Sequence, residues 1–200
     1  MRTISLGLFL VLLAPLAAMA QSDNSKVEVF GGYAYFRANP SAFDEIYEWN
    51  NMHGWNASVT GYLTSWLGVE GDFGGYYGSP SVYGYDIPLV DVSYYTFMAG
   101  PKLAYRKGAV TPFGHFLIGG ARGSFKVGVG SWGTTLSDDT ALATAVGGGI
   151  DIKLNKRVSI RAIQADYLMT RFRPISDFPF SGVDERQNNF RLSSGIVVRF

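Results

Sequence analysis

Cysteine is absent from the 200-residue chain and histidine occurs only twice. These absences exclude a disulfide framework and thiol chemistry, and they disfavour a metal site. Charged residues make up only 16% of the chain, below the ~25% typical of soluble domains. The 17 basic and 16 acidic residues nearly balance, so the composition indicates no nucleic-acid partner. No cofactor motif is present either.

Residues 1–20 have the pattern of a cleaved export signal. Arg2 supplies the positive start, residues 6–16 are almost wholly apolar, and Ala18-Met19-Ala20 fits a small-x-small cleavage site. An uncleaved anchor is the alternative, but the apolar run is short for a span of ~20 residues. We therefore expect the mature protein to begin at Gln21 and residues 21–200 to form one domain.

The last twelve residues, N-F-R-L-S-S-G-I-V-V-R-F, alternate between apolar and polar side chains. Phe190, Leu192 and Ile196 share one parity, whereas Arg191 and Arg199 share the other. This two-residue period predicts a strand with one apolar and one polar face.

The rest of the chain contains seven more alternating segments. The eight together are residues 27–37, 54–64, 67–77, 91–106, 110–126, 142–154, 157–172 and 188–200. The faces of the fifth segment cannot be told apart. Short connections at 64–66, 106–108 and 155–157 alternate with long ones at 38–53, 78–90, 127–139 and 173–187. This short-long alternation is typical of an up-and-down barrel in the outer membrane of bacteria.

The chain resembles the OmpA/OmpX-like family of small outer-membrane β-barrels. The resemblance rests on this architecture, on the terminal I-V-V-R-F and on glycine-rich strands such as 113–123. It implies an all-β fold: an eight-stranded antiparallel up-and-down transmembrane β-barrel, preceded by the cleaved signal. It also implies a monomer among outer-membrane lipid and lipopolysaccharide, with Phe200 read as an assembly signal by the barrel assembly machinery. Larger relatives continue into a peptidoglycan-binding domain, so anchoring to the cell wall is not expected here.

The parity opposite the apolar face should point into the barrel. An eight-stranded interior is narrow enough to be filled by side chains, and buried charges there must pair. The charged residues expected to form this network are Glu28, Glu70, Asp72, Lys102, Arg106, Asp151, Lys153, Arg161, Asp166 and Arg191. Catalytic acids at Glu70, Asp72 and Asp151 are the alternative interpretation, but lone carboxylates seldom suffice. A lipid-modifying set of Ser, His and Asp/Glu cannot be assembled either, since no serine and carboxylate share an obvious face with His115. We predict no catalytic, cofactor or metal site.

Two further patterns have structural explanations. Gly147-Gly148-Gly149 lacks the Lys-Ser/Thr ending of a phosphate loop, so close packing in a strand is favoured. In the seventh segment, unbroken alternation from Val158 would place Asp166 in lipid, which is costly. One extra residue near 161–163 would turn Gln164 and Asp166 inward and Ile163, Tyr167 and Met169 outward. We therefore predict a β-bulge there.

The long connections are the expected location of any specific function. They carry nine acidic residues against two basic ones, Arg173 and Arg186, for a net charge of −7; the acidic ones are Asp44, Glu45, Glu48, Asp86, Asp138, Asp139, Asp177, Asp184 and Glu185. Exposed aromatics among them suit a binding surface, although polar residues are also what loops ordinarily contain. The sequence favours a non-enzymatic structural or surface-interaction role in adhesion or envelope integrity. The long loops would carry out this role by binding an extracellular ligand. A passive small-solute porin is the alternative, and a lipid-modifying enzyme is a third hypothesis.

Overall fold

The computed structural model describes residues 25–37, 47–48, 51–78, 81–82, 85–86, 90–129, 132–171 and 186–200. The predicted export signal and most of the predicted long connections lie outside these residues. Eight long strands are present: β1 Val27–Arg37, β2 Met52–Tyr62, β3 Leu67–Gly78, β4 Val90–Ala104, β5 Val110–Val129, β6 Trp132–Lys153, β7 Val158–Arg171 and β8 Arg186–Arg199. No helix in the described part of the chain is long and apolar enough to cross a membrane.

The eight strands form a closed antiparallel barrel. Each strand pairs with its neighbours along the chain, and β8 closes onto β1 with Glu28 opposite Arg199 and Gly32 opposite Gly195. Closure leaves no strand edge with unpaired N–H and C=O groups, which is the requirement for crossing lipid with strands. The predicted fold class is confirmed.

The two ends of the barrel differ, and we call them the turn end and the loop end. The turn end carries the tight connections β2–β3, β4–β5 and β6–β7. Side chains close two of them, since Thr64 Oγ1 accepts from Leu67 N at 2.9 Å and Asn155 Oδ1 accepts from Val158 N at 2.8 Å. Phe200 pairs here with β1, its N–H donating to Val27 O at 2.9 Å. The remaining connections lie at the loop end.

The prediction of a third long connection at residues 127–139 is wrong. β5 and β6 continue to pair until Val129 lies opposite Trp132, with one register shift at Phe125/Lys126. β5 has 20 residues and β6 has 22, about twice the ~9–11 that a strand needs to cross the bilayer. We call the extension, residues 123–139, the β5–β6 ribbon.

The first two long connections contain paired backbone of their own. Tyr47–Glu48, Ser81–Val82 and Tyr85–Asp86 form a three-stranded antiparallel sheet, with Tyr47 opposite Val82 and Val82 opposite Tyr85. The connection after β1 is thus hydrogen-bonded to the connection after β3 at the loop end.

The outer face of the barrel is apolar, and the buried charged side chains all lie inside it. Its exposed outer side chains include Val59, Val69, Phe73, Phe97, Phe116, Ile118, Leu142, Val146, Ile150, Ile160 and Ile196. In β5, Phe116 and Ile118 face out, whereas Phe113, His115 and Leu117 are buried inside, which resolves the facing that the sequence left open. An apolar exterior is what hydrocarbon requires of a barrel surface.

The predicted β-bulge in β7 is confirmed. Its register against both neighbours shifts just after Arg161, so that Ala162 is the extra residue. Beyond it, Gln164 and Asp166 are fully buried inside, while Ile163, Tyr167 and Met169 are exposed on the outer face. The bulge thereby keeps Asp166 out of lipid.

Candidate functional site

The interior near the turn end is organised around Glu28 on β1. Its carboxylate accepts from Arg199 Nε at 2.9 Å and lies 3.3 Å from Lys102 Nζ. Lys102 also lies 3.5 Å from Glu70 Oε1. All four side chains are almost completely buried, so each charge depends on its neighbours rather than on water.

His115 joins this group to the middle of the barrel. Its Nδ1 lies 2.9 Å from Glu70 Oε2, and its Nε2 lies 2.8 Å from Asp166 Oδ1. Ionised carboxylates only accept hydrogen bonds. With both carboxylates ionised, both ring nitrogens donate and the ring is the imidazolium cation.

Arg161 is held both by charge and by aromatic rings. Its Nε donates to Asp151 Oδ1 at 2.8 Å, and its Nη1 donates to Gln164 Oε1 at 2.6 Å. The guanidinium lies 4.1 Å from the ring centre of Phe30 and 4.3 Å from that of Phe113. Cation–π contact of this kind is stronger where water is excluded.

Arg191 bridges two carboxylates deeper in the lumen. Its Nε donates to Asp166 Oδ2 and its Nη1 donates to Asp72 Oδ1, each at 2.7 Å. Asp72 also accepts from Asn56 Nδ2 at 2.8 Å. All these side chains are fully buried.

The contacts connect into one circuit. It passes through Arg199, Glu28, Lys102, Glu70, His115, Asp166, Gln164, Arg161 and Asp151, returning to Arg199 across 4.0 Å. Ten charged side chains are buried in the described part of the barrel: five carboxylates (Glu28, Glu70, Asp72, Asp151, Asp166) and five cations (Lys102, His115, Arg161, Arg191, Arg199). With His115 protonated, the buried charges sum to zero.

An apolar cluster fills the lumen above this circuit, toward the loop end. Phe36 stacks on Tyr76 with ring centres 4.5 Å apart, and Tyr94 packs 5.1 Å from Phe36. Met98, Leu117 and Leu168 are also buried in this cluster. The interior is thus occupied by side chains along both halves.

Glycine on β6 makes room for the circuit. A Cβ at Gly147 would lie 2.1 Å from Asp166 Oδ1 and 2.4 Å from Ala165 O, and one at Gly149 would lie 2.8 Å from the Phe113 ring. The Gly147-Gly148-Gly149 run therefore serves close packing, as predicted, because no side chain fits between β6 and these groups.

The structure brings eight of the ten expected charged residues together inside the barrel: Glu28, Glu70, Asp72, Lys102, Asp151, Arg161, Asp166 and Arg191. Arg106 and Lys153 instead lie at the turn end. Arg106 is half-buried, with Nη2 3.0 Å from Ser25 O and its guanidinium 4.2 Å from the Tyr62 ring centre, and Lys153 is exposed.

His115 and Arg199 were missing from the expected network. The sequence showed no serine and carboxylate sharing a face with His115; the structure places two carboxylates at its ring, because β3 and β7 supply Glu70 and Asp166 from across the lumen. Arg199 has the inward parity of β8, so its place could have been read from the alternation. His53 is exposed and hydrogen-bonds to the Tyr33 hydroxyl.

In the described residues, no group of three His, Asp or Glu side chains is arranged to hold a metal ion. Glu70 and Asp166 contact opposite nitrogens of His115 and do not converge on one point. The acidic residues predicted for the long connections lie outside the described residues or have undescribed side chains.

Comparison with known proteins agrees with this architecture. The family model for the outer membrane protein beta-barrel domain matches residues 6–196. The attachment invasion locus protein Ail of Yersinia pestis is 19% identical with a TM-score of 0.56, covering 88% of this chain and 99% of that one. Neisserial surface protein A is 17% identical with a TM-score of 0.54, covering 88% and 98%. OprG of Pseudomonas aeruginosa is 15% identical with a TM-score of 0.56, covering 88% and 96%. No protein of curated function matches the chain.

Proposed function

Because the chain belongs to the family of outer membrane protein beta-barrel domains and resides in the bacterial outer membrane, we propose that it is a non-enzymatic surface-interaction protein. Its loop end faces outward and serves adhesion or envelope integrity, while the barrel is a rigid anchor. The observation that carries this proposal is the filled lumen.

The filled lumen argues against a channel. A passing solute would have to separate buried ion pairs, and breaking one such pair costs about 3–5 kcal/mol. It would also have to displace the stacked rings of Phe36 and Tyr76. With the interior occupied, the surfaces left for a specific role are those at the loop end.

The loop end supports binding because its described parts are built on paired backbone. The β5–β6 ribbon is hydrogen-bonded through Val129 and Trp132, and a small sheet ties the first two long connections together. Such preorganised surfaces lose less conformational entropy on binding than mobile loops do.

The charge of the loops bears on the kind of partner. Ail has been crystallised with the heparin analogue sucrose octasulfate, a polyanion. The long connections here are themselves negative, with nine acidic residues against two basic ones, so they would repel such a polyanion. We therefore propose a partner that is neutral or basic, or one joined through divalent cations, at this surface.

Assembly is a separate part of the proposal. Phe200 ends the closing strand and pairs with β1, which supports its role as the signal that the barrel assembly machinery reads. We further propose that the inserted protein is a monomer.

The test is a deletion strain complemented with variants and assayed for adhesion and for envelope integrity. One variant replaces residues 127–134 with a two-residue Asn-Gly turn, which removes the tip of the β5–β6 ribbon and leaves the membrane-crossing strands intact. We expect complementation by the wild-type protein and loss of adhesion with the shortened ribbon.

The control is Arg157→Gln, in the β6–β7 turn at the opposite end, whose side chain is exposed and does not line the turn-end cavity; it should complement fully. Folding of each variant is checked by the mobility difference between boiled and unboiled samples. Full complementation by the shortened ribbon and by variants of the other long connections would contradict a surface role. A lipid-turnover assay on the purified barrel would exclude or reveal enzyme activity.

A further inference from the structure

A basic cavity opens at the turn end of the barrel. It has a volume of about 600 Å³ and is lined by five cationic side chains, Arg106, Lys107, Lys153, Lys156 and Arg199, together with Ser25, Trp66, Tyr105 and Thr111 among others. Among the described residues that line it, none is acidic. If the loop end faces outward, as the proposed function has it, the turn end and this cationic mouth face the periplasm.

Arg199 forms the inner wall of the mouth. It is only 6% exposed, and it donates from Nε to Glu28 and from Nη1 to Ser159 Oγ at 2.7 Å. Its Nη2 has no hydrogen-bond partner and lies 4.0 Å from Asp151 Oδ2. Because Nη2 is buried, Arg199 contributes positive charge to the cavity wall rather than a donor that a ligand in the cavity could reach.

Arg106 is fixed in place at the same mouth. Its Nη2 bonds to both the carbonyl and the hydroxyl of Ser25, at 3.0 and 3.1 Å, and its guanidinium lies over the Tyr62 ring. A guanidinium held in this way presents its remaining donors without further loss of side-chain entropy.

The three lysines reach the mouth from different elements. Lys107 is on the β4–β5 turn, Lys153 ends β6, and Lys156 is on the β6–β7 turn that Asn155 closes. None of them has an ion-pair partner within the described residues, and the nearby carboxylates Glu28 and Asp151 are already engaged inside the barrel. Like charges gathered around one cavity repel one another unless an anion lies between them.

We propose that this cationic mouth binds a phosphate-bearing anion from the periplasmic side. Phosphate oxygens match the guanidinium fork and accept from lysine ammonium groups. The cavity volume falls within the ~300–1,000 Å³ range of small-molecule sites. The cavity is therefore larger than a bare phosphate ion needs. The phosphate belongs either to a soluble phosphorylated compound or to the headgroup of a phospholipid in the adjoining leaflet. Trp66 and Tyr105, both exposed at the rim, favour contact with that leaflet.

The test uses the whole folded barrel, in micelles of an uncharged glycoside detergent that carries no phosphate for the first arm and in phosphatidylcholine nanodiscs for the second, and compares two double variants. Lys107→Gln/Lys153→Gln removes two charges that line the cavity. Lys26→Gln/Arg157→Gln removes two exposed charges at the same end that do not line it. All four positions lie at the exposed rim, so both variants should fold.

In the first arm, glycerol 1-phosphate and pyrophosphate are titrated by calorimetry. In the second arm, phosphatidylglycerol is mixed into the nanodiscs, and its ³¹P signal is followed for broadening by the protein. We expect the cavity variant to weaken binding about tenfold or more, the effect of losing a charge-assisted hydrogen bond, and the rim control to change it less than threefold.

Saturable binding in the first arm identifies a soluble phosphate compound, and broadening confined to the second arm identifies a headgroup. Equal losses in the two double variants would mean general charge attraction and would overturn the proposal. So would the absence of binding in both arms. A change in surface adhesion is not a readout here, so the result is independent of the function proposed for the loop end.

Discussion

Replacing Arg191 with methionine should destabilise the barrel strongly. Arg191 is fully buried and holds Asp72 and Asp166, each at 2.7 Å. Methionine keeps most of the apolar volume of the stem, so the change mainly removes the charge. Asp166 retains His115 and Gln164, but Asp72 is left with only Asn56 among its described side-chain partners.

The size of the effect follows from that imbalance. Removing one member of a buried pair costs about 3–5 kcal/mol, because the other charge stays buried without compensation. Adding Asp72→Asn to Arg191→Met removes the stranded charge and keeps an acceptor for Asn56. We expect the double variant to recover roughly 1–3 kcal/mol of that loss, the cost of one unsatisfied buried group.

The assay is reversible urea unfolding of the barrel in lipid vesicles, followed by tryptophan fluorescence. Arg157→Met, at an exposed turn position, is the control and should stay within about 0.5 kcal/mol of the wild-type protein. If Arg191→Met costs less than about 1 kcal/mol, or if Asp72→Asn adds to the loss, water reaches these charges and the dry-lumen reasoning is refuted.

Four other predictions concern the lumen, the bulge and assembly. In planar bilayers the folded protein should show no stable conductance steps of porin size; such steps would contradict the filled lumen. Gly147→Ala should cost about 1–3 kcal/mol of unfolding free energy through overpacking, since its Cβ would lie 2.1 Å from Asp166 Oδ1, whereas Gly114→Ala, with its nearest atom at 3.6 Å, should cost much less. Deleting Ala162 should turn Asp166 toward lipid and abolish the boiled-versus-unboiled gel shift, whereas Ala162→Ser should keep it. Deleting Phe200 should lower the amount of folded protein in outer-membrane fractions, and normal insertion would remove its assembly role.

The membrane-crossing part of the fold could be predicted because lipid imposes a rule on every residue. One face must be apolar, so the alternation in β8 and the position of Asp166 in β7 determine strand, facing and bulge. β5 was ambiguous because glycine and threonine are tolerated on either face. The β5–β6 ribbon was missed for a different reason. Beyond the bilayer no apolar face is required, so the ribbon shows no alternation, and residues such as Asp138 and Asp139 are typical of loops.

The partners within the lumen could be predicted less well. Parity shows which residues point inward but neither their depth along the axis nor their neighbours across it. Lys153 therefore has the inward parity and yet lies exposed at the mouth. His115 contacts Glu70 and Asp166, which lie 45 and 51 residues away in the chain. No local sequence pattern could have predicted these contacts.

The distribution of buried charge along the chain bears on how the barrel is completed. Strands β1 to β7 supply all five buried carboxylates but only three of the buried cations, Lys102, His115 and Arg161. A seven-stranded precursor would thus expose an interior with two excess negative charges, and β8 brings the two missing cations, Arg191 and Arg199. Formation of the last seam and neutralisation of the interior are the same event. Charge attraction therefore favours docking of β8 in addition to hydrogen bonding, and once docked, β8 cannot leave without separating Arg191 and Arg199 from their carboxylates in a dry interior.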